Sequence, residues 1–299
     1  MKVLITGGTG LVGTRMTDFL LEKGYEVAYL SRSKKQDGKV QYYQWNTEKQ
    51  FIEEGAIETA DYIIHLAGAG VADERWTPSR KKMLMESRTH TTELLYQKLS
   101  ELKHNVKAFI SATAIGIYGD SGEQLVNEDS PHANDFLAQI CTAWEDKADK
   151  IKELGIRTPK IRVGVVLSEK GGALKEISKP IKLYAGAPLG SGKQLMSWIH
   201  IDDIANLFIH AMENESMNET YNGVAPNPIS NEQLTKIAAE VLDKPLILPN
   251  VPEFALKLML GEMAEVVLMG SNVSSEKTQS TGFAYKFTDA KKAVEDLMG

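Results

Sequence analysis

A run of glycines near the start of the chain is the first pattern that could do chemistry. Residues 6–13 read Thr-Gly-Gly-Thr-Gly-Leu-Val-Gly and follow a short apolar run at Val3–Ile5. Between a strand and an amphipathic helix, this spacing is typical of a loop that binds a dinucleotide pyrophosphate. Gly7 and Gly10 allow a tight turn and close approach of the backbone, and Gly13 allows the helix to pack against the sheet. The alternative is a glycine turn that binds nothing, which this context disfavours.

The end of the second apolar run carries positive charge at the place where dinucleotide-binding proteins select their cofactor. NAD-selective sites usually have an acidic residue there, which accepts a hydrogen bond from the ribose 2′-hydroxyl. Residues 31–35 of this chain read Ser-Arg-Ser-Lys-Lys. Arg32 could pair with a 2′-phosphate and stack on the adenine, while Ser31 donates a further hydrogen bond. The sequence therefore predicts NADP(H) as the cofactor, with a solvated basic loop as the alternative.

Several later segments, together with the glycine run, give the chain a family resemblance. HLAG at 65–68, SATAIGIYG at 111–119 and WIHIDD at 198–203 resemble landmarks of the extended short-chain dehydrogenase/reductase superfamily. The chain more narrowly resembles its uncharacterised epimerase-family subgroup, which is NAD-dependent epimerase/dehydratase-like and has a C-terminal domain of unknown function. The marks of that subgroup are FLAQ at 136–139, GAPLGSG at 186–192, NGVAP at 222–226 and the stretch from 248 to the end.

The resemblance implies an NADP(H) site that is built from five parts of the chain. The residues expected to bind the cofactor are Gly7, Thr9, Gly10, Leu11, Val12, Gly13, Ser31, Arg32, Leu66, Ala67, Gly68, Arg88 and Val163. The glycine loop would face the pyrophosphate, and Ser31 with Arg32 would take the 2′-phosphate. Residues 66–68 would pass under the adenine-side ribose, Arg88 would reach the cofactor from a helix, and Val163 would lie near the nicotinamide.

The catalytic residues of the superfamily are not found at their usual positions. Most members use a Tyr and a Lys four residues later, and the Lys charge and the cofactor lower the pKa of the Tyr. Counted from Glu145, these positions fall on Leu137 and Cys141, which cannot exchange a proton in that way. The usual Ser position falls on Ala114, and a shift of the loop by one residue could present Thr113 or Ser111 instead. Thr113 and Tyr118 are the hydroxyl candidates that we name for catalysis.

Two functions of different classes fit this pattern. The first is an epimerase-like oxidoreductase that acts on a small molecule, either a nucleotide sugar or another carbonyl compound. Hydride transfer is the chemistry of the cofactor, so the protein need supply only position and a hydroxyl or a water. The second is a non-catalytic regulatory or binding protein whose affinity for a partner responds to NADP(H).

Other candidate groups have simpler interpretations. Cys141 is expected to be a small buried side chain rather than a nucleophile. The spacing of His200, Asp202 and Asp203 fits no common metal site, and either Asp is expected to cap a helix that begins at Ile204. The sequence therefore predicts no metal.

Two loops could contribute to a substrate cleft. Arg75-Trp76 could clamp a substrate or cover the cofactor, or could be a surface loop. The loop at 186–192 could form the far wall of the cleft or be only a tight connection.

Composition excludes several classes of partner. The chain has 299 residues with 34 Lys and Arg against 40 Asp and Glu, a net charge of −6. This balance disfavours binding to nucleic acid or to an anionic membrane. A single cysteine rules out an internal disulfide framework and fits a reducing compartment, so a cytoplasmic location is expected. A homodimer is left open.

The alternation of apolar runs and amphipathic stretches predicts an α/β fold with a Rossmann-type, doubly wound parallel sheet. We expect an NADP(H)-binding domain at 1–225, with cleft loops at 170–198, and a small C-terminal α/β domain at 226–299. The apolar run at 254–260 is expected to be core or a subunit contact. The predicted strands are 3–5, 27–30, 40–45, 62–66, 108–110 and 161–167, and the predicted helices are 11–23, 78–102, 134–154, 231–242 and 253–269.

Overall fold

The computed structural model describes residues 1–33 and 38–299, in which strands and helices alternate through the first half of the chain. The first elements are β1 (Lys2–Thr6), α1 (Leu11–Glu22), β2 (Glu26–Ser31), β3 (Gln41–Asn46), β4 (Phe51–Ile52), β5 (Tyr62–His65), α2 (Pro78–Glu101), β6 (Ala108–Ala114), β7 (Leu125–Val126), α3 (Phe136–Lys152), β8 (Lys160–Val163) and β9 (Val165–Leu167). The later elements are α4 (Gly172–Lys182), β10 (Leu195–Met196), β11 (Trp198–His200), α5 (Ile201–Glu213), β12 (Thr220–Gly223), β13 (Ile229–Ser230), α6 (Asn231–Val241), α7 (Glu253–Leu260), α8 (Glu265–Leu268), β14 (Asn272–Val273), α9 (Glu276–Ser280) and α10 (Ala290–Met298). Short 3₁₀ turns lie at Ile115–Tyr118 and Gly261–Ala264.

Eight strands form the main sheet in the order β12-β8-β6-β5-β1-β2-β3-β4. All neighbours in it are parallel except the β3–β4 pair at one edge. Strands are added on both sides of β1, with β2 to β4 on one side and β5, β6, β8 and β12 on the other. The last residues of β1 and β5, Thr6 and His65, are partners in the strand register. Ligands of such sheets bind where the strand order reverses. The predicted doubly wound α/β fold is confirmed.

Helices cover both faces of the sheet because the central strands are apolar on both sides. Val3 and Ile5 of β1 pack into a core with Phe208 of α5, and Leu4 packs into a second core with Leu95 of α2. The division follows from the strand geometry, in which successive side chains point to opposite faces. The sheet lies between these two cores, and its carboxyl edge carries the candidate site.

The predicted strand at 161–167 is in fact two strands with different partners. β8 pairs with β6 and β12 in the main sheet, whereas β9 leaves the sheet and pairs with β11. The break falls at Gly164, where a Cβ atom would lie 2.5 Å from the carbonyl oxygen of Ser197. A larger residue could not make this close approach of two backbones.

The predicted helix at 253–269 is interrupted after eight residues. Gly261 takes a positive φ of 63°, which ends α7, and a 3₁₀ turn then leads into α8. Of the two alternatives for the apolar run, core is wrong for Phe254 and Leu258, which are 74% and 77% exposed, and a subunit contact stays a prediction. Leu256 is the buried residue of α7.

The helix that follows WIHIDD begins earlier than predicted, which changes the role of both Asp residues. α5 starts at Ile201, and His200 caps it by accepting a hydrogen bond at Nδ1 from the amide of Asp202 (3.1 Å). Asp202 instead binds Nε of Arg15 at 2.6 Å, and Asp203 accepts hydrogen bonds from two amides at 286–287. The expected capping role of the carboxylates is therefore wrong, because the imidazole occupies the cap position.

The C-terminal part is mainly helical and is joined to earlier segments by two short strands. β13 pairs with β10, and β14 pairs with β7. The division at residue 225 stays a prediction. Across residues 1–33 and 38–299, the helices are too short or too polar to cross a membrane. The same residues contain no group of three His, Cys, Asp or Glu side chains that could hold a metal ion.

Candidate functional site

The glycine loop after β1 has the geometry of an anion cradle. The amide of Gly10 donates to the carbonyl of Gly7 at 2.9 Å, and Gly7 has a φ of 70°. A Cβ atom at Gly13 would lie 2.6 Å from the Gly7 carbonyl oxygen, so a side chain there would displace the loop. α1 starts at Leu11 with no side-chain cap. The first amides of the helix are therefore directed at the loop, where an anion can accept from them.

Ser31 and Arg32 lie at the end of β2, next to this loop. The last residues of β1 and β2 are adjacent because the two strands pair in parallel, with Thr6 opposite Leu30. The side chain of Arg32 is exposed, and among the described residues it has no ion-pair partner. The predicted basic loop also includes Lys34 and Lys35, which lie outside the described residues. The placement of Arg32 fits a 2′-phosphate that projects beyond β2.

A buried chain of hydrogen bonds fixes residues 66–68 beside the glycine loop. Nδ1 of His65 contacts Oγ1 of Thr6 at 2.7 Å, and Nε2 contacts Oγ1 of Thr92 at 3.0 Å. Since Thr92 donates to a backbone carbonyl and Thr6 accepts from the amide of Ala67, the neutral ring must carry its proton on Nε2. Burial lowers the pKa of His65 to about 3, so the ring is neutral.

Arg88 reaches the same segment from α2, and its contact with the cofactor stays a prediction. Its guanidinium donates to the carbonyls of Leu84 (2.9 Å) and Ala69 (3.0 Å) and stacks on Trp144 with 5.2 Å to the ring centroid. A Cβ atom at Gly68 would lie 3.1 Å from its Cζ. Burial lowers the pKa of Arg88, and no carboxylate among the described residues pairs with it. A half-buried cation without a counter-ion favours the approach of an anion.

Beneath the nicotinamide end predicted for the cleft, the sheet contains a buried charged network that the sequence analysis missed. Glu145 on α3 accepts from Nε and Nη2 of Arg162 (2.8 and 3.0 Å) and lies 3.4 Å from Nζ of Lys160. Burial alone would raise the pKa of Glu145, but the hydrogen bonds and charge of Arg162 outweigh it and the pKa is lowered. The sequence feature that could have indicated this network is a pair of cations, Lys160 and Arg162, in an otherwise apolar strand.

Both predicted catalytic hydroxyls belong to this network. Thr113 donates to Oε1 of Glu145 at 3.2 Å. Tyr118 donates to Oδ1 of Asn222 and accepts from Nη1 of Arg162, each at 2.8 Å. Burial raises the pKa of Tyr118. This geometry favours a positioning role for both hydroxyls, and their catalytic role stays a prediction.

Leu137 and Cys141 lie one helical turn apart on α3 and face the end of β6. A Cβ atom at Gly116 would be 3.4 Å from Cβ of Leu137 and 3.8 Å from Sγ of Cys141. Burial raises the pKa of the Cys141 thiol to about 12, so the group is neutral, as expected for a buried free cysteine. Val163 ends β8 opposite Ala114 of β6 in the strand register. The surface between these strand ends is apolar.

The two loops at the outer side of the cleft also have defined places. Trp76 is buried and packs edge-on against Phe136 with ring centroids 5.2 Å apart, and its Nε1 donates to the carbonyl of Val71. The loop at 186–192 runs beside residues 250–251. The amide of Gly190 donates a hydrogen bond to the carbonyl of Val251 at 2.8 Å. A contribution of either loop to a substrate cleft stays a prediction.

The doubly wound sheet and its glycine cradle define a protein of the Rossmann-like class. The model of the NAD dependent epimerase/dehydratase family matches residues 3–222, and that of a domain of unknown function, DUF1731, matches residues 251–297. The chain therefore belongs to the NAD dependent epimerase/dehydratase family, and the predicted family is confirmed.

Individual relatives are similar over the whole chain. The epimerase family protein YfhF of Bacillus subtilis is 36% identical over 100% of this chain and 98% of its own length. The crystal structure of human epimerase family protein SDR39U1 with NADPH is 30% identical, with a TM-score of 0.90 over 100% of this chain and 99% of that one. A UDP-glucose 4-epimerase of Thermotoga maritima with UDP-glucose, 20% identical, shares the fold with a TM-score of 0.81 over 100% of this chain and 97% of its own.

Proposed function

We propose that the chain binds NADP(H) and is an oxidoreductase that acts on a small carbonyl compound without the Tyr and Lys pair of its superfamily. The observation that carries the proposal is the cradle at Gly7–Gly13, in which side chains are excluded and helix amides are left for a pyrophosphate. The exposed guanidinium of Arg32 at the end of β2 supports NADP(H) over NAD(H). The human relative crystallised with NADPH supports the same choice.

The residues of the chain would hold the cofactor in an extended path along the carboxyl edge of the sheet. The glycine loop and the first turn of α1 bind the pyrophosphate, and Ser31 with Arg32 binds the 2′-phosphate. Residues 66–68, held by His65, support the ribose, and Arg88 adds positive charge beside them. Val163 lies where the nicotinamide would end. Bound NADPH supplies a hydride, and the substrate oxygen takes its proton from water.

A regulatory role without catalysis is the second candidate. The observation that favours it is the apolar surface formed by Leu137 and Cys141 against Gly116, where a proton donor would be needed. This candidate predicts a protein partner whose affinity depends on the redox state of the bound cofactor. Equal partner binding with NADPH, with NADP⁺ and without nucleotide would count against it.

Two substitutions, each of which removes one positive charge, test the cofactor proposal. We expect Arg32→Ala to weaken NADPH binding by about 30-fold, since a hydrogen-bonded charge is worth about 2 kcal/mol, and to leave NADH binding unchanged. Binding is measured by the fluorescence of the reduced cofactor. Lys49→Ala, which removes an exposed cation near the β3–β4 turn, is the control and should change neither affinity. Equal losses for both cofactors in Arg32→Ala would refute phosphate recognition by this residue.

A further inference from the structure

The second glycine of the loop after β1 lies against the aromatic ring of Tyr29, a residue of β2. A Cβ atom at Gly8 would overlap Cδ1 and Cε1 of that ring and would lie 2.8 Å from its Cγ. Gly8 is not among the glycines with a positive φ, so its backbone conformation alone would accept a side chain. The ring of Tyr29 therefore occupies the space that a side chain at this position would need.

Helix α1 contacts the same glycine and is joined to Tyr29 by a hydrogen bond. A Cβ atom at Gly13 would lie 2.6 Å from Cα of Gly8, so the helix meets the loop with no side chain between them. Oγ1 of Thr17, one turn further along α1, donates to the carbonyl of Gly13 at 2.8 Å and lies 2.6 Å from the hydroxyl of Tyr29. Since the single proton of Thr17 goes to the carbonyl, the hydroxyl of Tyr29 must donate to Thr17.

The surroundings of Tyr29 keep its ring under the loop. The side chain is buried in the core beside β1, and it makes a T-shaped contact with Tyr42 of β3, with ring centroids 5.3 Å apart. Its far end is fixed by the hydrogen bond to Thr17. Tyr29 also precedes Ser31 by two residues on β2. One buried side chain therefore connects the glycine loop to the strand whose end carries the groups proposed for the 2′-phosphate.

We infer that Tyr29 is a positioning residue of the proposed NADP(H) site, which holds the glycine loop in the conformation that binds the pyrophosphate. The inference rests on the proposed function. The amides of a binding loop keep their geometry only when the residues packed behind them are themselves fixed, and Tyr29 with Thr17 meets that condition. NADPH and NADH share the pyrophosphate, so removal of Tyr29 should weaken the binding of both, whereas Arg32→Ala should weaken that of NADPH alone.

Substitutions of Tyr29 in the full-length protein separate the ring from its hydroxyl. Tyr29→Ala removes the ring, and we expect calorimetry to show binding of NADPH and NADH weakened by about 30-fold each. Tyr29→Phe keeps the ring and loses one hydrogen bond, so a loss of about fivefold is expected for both cofactors. Thr17→Val removes the same hydrogen bond and should give a similar loss.

A buried tyrosine of the same sheet is the matched control. Tyr43 lies on β3, packs into the core on the other face of the sheet and accepts a hydrogen bond from Nζ of Lys2 at 3.0 Å. Tyr43→Ala should lower the free energy of unfolding, as Tyr29→Ala does, because both substitutions remove a buried ring. It should leave the affinities for NADPH and NADH unchanged.

A second substitution distinguishes positioning from a general loss of stability. Gly8→Ala alone should weaken NADPH binding by about 30-fold, because its methyl group meets the ring of Tyr29. In the Tyr29→Ala background the same change should cost less than about threefold, since the ring is absent. Residues that act independently would give additive losses instead. Circular dichroism checks that each variant is folded.

Three results would overturn the role of Tyr29 while leaving the binding of NADPH by the wild-type protein intact. The first is a folded Tyr29→Ala variant that binds both cofactors normally, and the second is additive losses in the double variant. The third, which does not depend on the folding of Tyr29→Ala, is unchanged affinity in both Tyr29→Phe and Thr17→Val. If the wild-type protein binds neither cofactor, the proposed function falls first.

Discussion

The proposed phosphate end and the proposed nicotinamide end of the cofactor site are built by opposite means. At the phosphate end, glycines leave room for a ligand and expose backbone amides, and the exposed side chain of Arg32 adds charge. At the nicotinamide end, Leu137 and Val163 are apolar, and the charged Glu145–Arg162 pair is buried. Under the proposed function, the fold keeps its cofactor cradle while Leu137 and Cys141 take the positions expected for the proton-transfer pair.

The largest effect should come from the charged network under the nicotinamide end. Glu145→Ala leaves Arg162 buried without its carboxylate, while Lys160 keeps Asp149 at 2.7 Å, and we expect the free energy of unfolding to fall by about 3 to 5 kcal/mol. Denaturant unfolding gives the value. Glu93→Ala removes a partly exposed partner of Lys147 on α3 and should cost about 1 kcal/mol or less. Similar losses in both variants would show that the buried pair has no special structural role.

Breaking the proposed phosphate end should abolish cofactor binding. The side chain in Gly13→Val would meet the backbone of Gly7 and Gly8, so NADPH affinity should fall by at least about 100-fold. Calorimetry measures the affinity, and circular dichroism checks that the fold is kept. A folded variant that binds NADPH normally would show that the cradle is not the site.

Tyr118→Phe separates a positioning role from a catalytic one. Removing the hydroxyl takes a donor from Asn222 and an acceptor from Arg162, so we expect a loss of about 1 to 3 kcal/mol of stability. Turnover of NADPH with an accepted aldehyde should change little. A fall in kcat of about 100-fold or more with KM unchanged would instead establish Tyr118 as catalytic. Tyr184→Phe, an exposed tyrosine, is the control.

The last effect is a pH dependence of stability that arises from the buried imidazole of His65. Because the pKa of His65 is lowered to about 3, the folded state binds fewer protons than the unfolded state below the ordinary pKa of about 6.5. Stability from this group is complete above that pH and is lost as pH falls, by about 1.4 kcal/mol per pH unit. His65→Gln should lose this part of the slope between pH 6 and 4. His90→Gln, which replaces an exposed histidine on α2, should retain this part of the slope.

The two ends of the proposed site also differ in how much of their structure can be predicted from the sequence. The glycine loop, Arg32 and the helix at Pro78–Glu101 follow from local pattern, since each depends on residues close in sequence. The cap of α5 by His200 and the pairing of Glu145 with Arg162 depend on which groups meet in space, so spacing alone could not give them. Gly164 interrupts a predicted strand because another backbone approaches it closely, and Gly261 interrupts a predicted helix because its φ is positive. The spacing of apolar residues gives no information about either feature.

The packing around Leu137 also exceeds what the sequence predicts. Leu137 is an unexpected residue at its position, and Met263 packs into the same hydrophobic cluster from 126 positions further along the chain. The segment that contains Met263 is predicted as one continuous helix, so this contact requires the three-dimensional structure.

The central claim is that the phosphate end still binds NADP(H) while the usual proton-transfer pair is replaced. The most direct measurement is a calorimetric titration of the wild-type protein with NADPH and, side by side, with NADH. The account predicts one site per chain and at least about tenfold tighter binding of NADPH, a difference of about 1.4 kcal/mol. Equal affinity for the two cofactors would contradict the role of Arg32, and no binding of either would contradict the claim itself.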